Sequence, residues 1–68
     1  MMNEYLVLAN TFVMSAPSFE STKLKELFIG NKIKFKETEK KSAEGAVWYR
    51  FDSNSWIDSR VIVRLENE

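Results

Sequence analysis

The five residues Lys32-Ile33-Lys34-Phe35-Lys36 alternate charge and hydrocarbon without a break. Successive side chains of an extended strand point to opposite faces, so this run predicts a strand with Ile33 and Phe35 inward and three lysines in water. A helix would scatter the same residues around its circumference. Similar short segments lie on either side. Tyr5-Leu6-Val7-Leu8 is a continuous apolar run of strand length, and Thr11 to Met14 is a second β-prone stretch. Val47 to Asp52 alternates, with Val47, Tyr49 and Phe51 on one face and Trp48 and Arg50 on the other. Trp56-Ile57 and Val61 to Leu65 complete the set.

The punctuation between these runs is as informative. Pro17, between Ser15 and Ser18, ends the second strand because proline cannot donate to a ladder. Phe19 to Lys23 then reads as a long surface loop, and Glu37 to Gly45 as a polar hairpin loop that Gly45 closes at positive φ. Asp52-Ser53-Asn54-Ser55 is a turn of Asx and Ser residues, and Asp58-Ser59-Arg60 suits a tight turn. Met1 to Glu4 reads as a frayed end. Leu24, Leu27 and Phe28 recur at helical spacing ahead of Gly30, which allows one helical turn or a short strand entering the turn. An isolated helix so short is marginal, which favours the extended form. Five or six short antiparallel strands with close turns imply an all-β chain, a small closed barrel forming a single domain over residues 1–68.

Size decides how such a domain holds together. A chain of 68 residues buries only about 60% of its unfolded surface, so small folds commonly need a staple. With no Cys and no His, neither a disulfide nor an ordinary zinc site is open to it. Nine aromatic residues, five Phe, two Tyr and two Trp, make an aromatic core the alternative, with self-association as a further support. The same absences remove Ser-His and Cys-His nucleophile pairs and leave no imidazole base. Paired carboxylates remain, yet a barrel this small gives little room for a water-excluded cleft around them. The expectation is therefore a non-enzyme with no metal and no cofactor. Ten basic residues balance ten acidic ones, which makes nucleic acid an unlikely partner on charge alone. No apolar run approaches membrane-spanning length, and no basic start precedes a long apolar stretch. A chain made in the cytoplasm without a signal peptide is the corresponding expectation.

Several segments also occur in a recognisable order. Val13, Ser15, Pro17 and Ser18 come first, then Gly30, Ile33 and Phe35, then Trp48, Tyr49 and Phe51, and finally Trp56, Ile57 and Ser59. This order and spacing resembles the bacterial SH3 (SH3b) domain, over about Tyr5 to Leu65. The resemblance implies a small SH3-like barrel and a non-catalytic module that holds a peptidoglycan hydrolase, such as a phage endolysin, on the Gram-positive cell wall. The ligand would be a peptide stem, cross-bridge or other wall polymer in a groove of aromatic and polar side chains, reached after release from the cell. Phe12 and Met14 replace the Asn and Arg usual in that pattern, and Ser55 replaces a Gly. The apolar pair marks a candidate subunit contact, either between copies or with a full-length endolysin.

The candidate ligand-binding residues are Trp48, Arg50, Trp56, Phe19 and Tyr49. Strand parity turns Trp48 and Arg50 away from the core, and Trp and Arg are enriched at binding hot spots. Against this, Trp48 packs under a loop if the barrel wall is covered there. Trp56 either faces out near Trp48 or caps the barrel end, and Phe19 either overhangs a groove or folds back as a plug. Residues Lys23 to Lys41 hold seven Lys against three Glu, a stretch that either attracts anionic polymers or keeps strand edges from pairing. Other classes stay open: an intracellular SH3-like adaptor for extended peptides, and a small-barrel binder of single-stranded nucleic acid.

Overall fold

The computed structural model describes residues 2–65 and is all-β. Among these residues run eight strands: β1 (Asn3–Val7), β2 (Thr11–Met14), β3 (Lys23–Leu27), β4 (Lys32–Phe35), β5 (Lys40–Ala43), β6 (Ala46–Asp52), β7 (Ser55–Asp58) and β8 (Ile62–Arg64). They form two antiparallel sheets, one of three strands ordered β4-β1-β8 and one of five ordered β3-β2-β7-β6-β5. The expected closed barrel of five or six strands is therefore corrected to two sheets of eight strands. A 3₁₀ turn over Ser59–Val61 separates β7 from β8, with Asp58 as its N-cap. No helix is long and apolar enough to cross a membrane among the described residues.

The two sheets bury a common core. Tyr5, Val7, Phe35 and Ile62 project from the three-stranded sheet onto Val13, Leu27 and Ile57 of the five-stranded one. Tyr49 and Phe51 pack against the same cluster. Tyr5 stacks on Phe35 with ring centroids 4.4 Å apart and planes 16° from parallel. Each such side chain, once sealed from water, contributes roughly 1.5–3 kcal/mol of transfer free energy. The Tyr5 hydroxyl, buried with its ring, donates to Glu37 Oε2 at 2.7 Å. Burial first, and then this carboxylate, push the Tyr5 phenol up to about 12.

Both additional strands, β3 and β5, are edges of the five-stranded sheet. In β3 only Leu27 is buried, and in β5 no residue is. Leu24–Ile29 is thus not a helical turn, and the supposed loop over Glu37 to Gly45 contains a strand. Its hairpin closes on two residues, Glu44 at φ +54° and Gly45 at φ +77°, with Ala43 facing Ala46. Two successive left-handed residues give the turn whose twist matches an antiparallel ladder. Lysines occupy β3, β4 and β5, three of the four sheet edges, where charge discourages pairing with another chain.

Candidate functional site

The outer face of the five-stranded sheet is where most of the candidate residues meet. Side chains opposite the main core form a second cluster of Met14, Ala46, Trp48 and Trp56, with Phe12 and Ala43 against it. The sequence parity was right in turning Trp48 away from Tyr49 and Phe51, but its exposure is corrected: Trp48 is 1% exposed. The segment 15–22 after β2 roofs it. Phe19, at the tip of that segment and 47% exposed, lies with its ring centroid 4.7 Å from that of Trp48. Trp48 Nε1 donates to the Ala43 carbonyl at 3.0 Å, which satisfies the indole polar atom under the roof. Val47, assigned to the core face, is instead 40% exposed at the hairpin end.

The roof is fastened at several points. Ser21 Oγ donates to the carbonyls of Ala16 and Ser18, and the Ser15 and Thr22 backbones pair at 2.9 Å. The Phe19 amide donates to Glu44 Oε1 at 2.9 Å, across 25 positions of sequence. Hydrogen bonds from the Ser18 hydroxyl and the Phe19 amide hold the Glu44 carboxyl below its ordinary range. The Arg60 guanidinium sits 5.6 Å from the Phe19 centroid.

Arg50 and Trp56 form a separate unit on the same face. They are register partners on β6 and β7, and the guanidinium carbon lies 4.7 Å from the Trp56 ring centroid. Arg50 also donates through Nε to Glu39 Oε1 at 3.0 Å and through Nη1 to the Ser53 carbonyl at 2.8 Å. Its fork is thus committed within the fold, and Trp56 is buried beneath it. Tyr49 points the other way, into the inter-sheet core, 6.5 Å from both Tyr5 and Phe35 by ring centroids. Ser55, in the place of the pattern's Gly, is buried and donates from Oγ to Asp52 Oδ1 at 2.7 Å. A bond from the Asn54 amide first, and then this one, hold the Asp52 carboxyl low.

A cleft opens where the sheet itself comes apart. Strands β2 and β7 share a single register pair, Met14 with Trp56, and beyond it no ladder joins them. The space left between them, about 200 Å³, is lined by Phe12, Met14, Phe19 and Trp48, with Lys23 and Asp58 as its charged members. Lys23 Nζ stands 4.7 Å from the Phe12 centroid. Asp58 is 4% exposed, and Arg60 holds both its oxygens. This bonding pushes the Arg60 guanidinium up, first by the hydrogen bonds and then by the carboxylate charge. Of the five residues singled out in the sequence, Trp48 and Phe19 lie in the cleft, Arg50 and Trp56 beside it, and Tyr49 behind it. Lys23 and Asp58 are additions. Phe12 and Met14, read as a subunit contact, form a cleft wall; a strand apolar at 12, 13 and 14 is the signature of one covered on both faces.

No group of three or more Asp or Glu that would hold a metal ion occurs among the described residues. The cleft chemistry is stacking, apolar contact and one ammonium. Comparison of the chain with protein-family models, with curated proteins and with solved structures returned no match.

Proposed function

We propose that the chain is a non-catalytic binding module of SH3-like kind, which targets a peptidoglycan hydrolase such as a phage endolysin to the Gram-positive wall. The observation that carries the binding reading is the aromatic cleft between β2, β7 and the roof formed by 15–22. At about 200 Å³ it falls below the roughly 300 Å³ at which whole small-molecule sites begin. It suits one or two residues of a longer polymer, such as a wall peptide lying across the sheet. The wall assignment rests on the order of segments from Val13 to Ser59, and the roof over the cleft is the segment that carries Ser15, Pro17 and Ser18 in that order. A single-strand nucleic-acid binder needs several exposed rings in a row on which bases stack, whereas at this cleft both tryptophans are buried and the half-exposed ring is Phe19.

The test is retention of the purified, labelled chain on sacculi from several Gram-positive species, before and after removal of attached polymers. Phe19→Ala is the informative variant, because Phe19 is half exposed and its loss leaves the core intact. An aromatic anchor of about 2 kcal/mol predicts a roughly thirtyfold loss of affinity. Failure to bind any sacculus would overturn the wall assignment. Binding of extended peptides in its place would favour an intracellular adaptor.

A further inference from the structure

Resting on the cleft as the binding site, we infer that it selects an apolar residue ending in a free carboxylate: the C-terminal end of a peptide. The argument is one of charge. Among the described residues Asp58 is the only acid lining the cleft, and it is already neutralised by Arg60. Its Oδ1 accepts from the Arg60 amide at 2.9 Å and from Nε at 3.2 Å, while Oδ2 accepts from Nε at 3.1 Å and Nη2 at 2.8 Å. Among the described residues, Lys23 has no such partner. The three ion pairs among the described residues join Lys40 to Glu37, Arg50 to Glu39 and Arg60 to Asp58. The uncompensated charge at the cleft is therefore a single ammonium, held against the Phe12 ring.

Asn10 supplies a second donor. It lines the same cleft, and its Oδ1 is fixed by accepting the Ile29 amide at 2.8 Å. The carboxamide N–H₂ is left as its donating end. A carboxylate offers two oxygens to these two groups, and a charge-assisted bond to an ammonium is stronger than a neutral one. The ligand's last side chain then fills the space among Phe12, Met14 and Trp48. A cationic ligand would meet Lys23 and find Asp58 occupied. A peptide amide would leave the ammonium unanswered.

The experiment titrates the chain with N-acetyl-dialanine, as L,L and D,D forms, each as free acid and as C-terminal amide, followed by tryptophan fluorescence and backbone NMR shifts. The free acid is expected to bind about tenfold better than the amide, the discrimination of one charge-assisted hydrogen bond. Lys23→Gln removes that difference, and Lys25→Gln, an exposed lysine on the same strand, keeps it. Added salt weakens the acid and spares the amide. Preference for D,D over L,L identifies a wall stem as the source, and the reverse identifies a protein C-terminus. Equal binding of acid and amide, no binding of either, or a difference that survives Lys23→Gln overturns the inference. Sacculus retention with no acid preference sinks this inference alone. Acid preference without sacculus retention sinks only the wall assignment.

Discussion

Replacing Tyr5 by Phe removes one oxygen from the core and leaves the stacked ring in place. The lost bond runs to a carboxylate at 2.7 Å, and hydrogen bonds to charged groups are worth roughly 1.5–3 kcal/mol. Glu37 keeps some access to water, with its side chain 20% exposed, so the lower end, about 1.5 kcal/mol, applies. In urea, with a slope near 1 kcal/mol/M for so small a domain, the midpoint falls by about 1.5 M. The alkaline limb gives a sharper signature. The folded-state pKa of about 12 lies above the ordinary 10.0, so the neutral phenol is the stabilised form. Its contribution is complete below pH 10 and disappears as pH rises toward 12. Two units correspond to about 2.7 kcal/mol. The variant has no phenol at this position to lose, so its deficit relative to the parent closes and then reverses across this window. Urea unfolding at intervals from pH 7 to 12 measures it. Parallel stability curves for parent and variant would refute the account of Tyr5.

Trp48→Ala, measured by urea unfolding, should cost about 3–5 kcal/mol. A domain of this length has only about 3–10 kcal/mol in all, so this variant reports on folding rather than binding. Because the Glu44 carboxyl is held low in the folded state, its fastening of Phe19 is complete above the ordinary 4.5 and lost as pH falls below it. Acrylamide quenching of tryptophan should rise in the parent as pH falls through the lowered value of Glu44, below the ordinary 4.5, and be high and flat with pH in Glu44→Ala. Gly45→Val, at φ +77°, places a β-branched residue in the left-handed region and should cost about 1–2 kcal/mol, although open space surrounds the site. Thermal unfolding would show this as a lowered Tm.

Strands with a buried face announced themselves in the sequence, and strands without one did not. The lysine alternation placed β4 correctly because Phe35 and Ile33 meet the other sheet. Strand β5 buries nothing, so Lys40-Lys41-Ser42-Ala43 carries no period of two and is held by backbone pairing to β6. Strand β3 was ambiguous in a different way, and the extended form favoured for it is the one it takes. Leu24, Leu27 and Phe28 mimic a helical stripe, yet Leu24 and Phe28 are about half exposed and only Leu27 is core. At the site, period-two reasoning found the correct face for Trp48 but carried no information about a roof, since the contact with Phe19 spans 29 positions and rests on the Glu44 carboxylate. The cleft was invisible for a similar reason. It depends on how far β2 and β7 remain paired, which their residues do not encode locally.

The closure of the three-stranded sheet bears on how the module carries force. Strands β1 and β8 pair antiparallel at Tyr5–Arg64, Leu6–Val63 and Val7–Ile62, and Leu65 donates to the Glu4 carbonyl at 2.8 Å. The outward ends of the two strands therefore lie side by side. Tension applied between them meets these rungs in succession, Leu65–Glu4 first, and opens them like a zip at low load. Under the proposed function, tension between one end and a ligand in the cleft would instead be borne by both sheets and the core between them. A tether at a single end would then be the arrangement that resists shear.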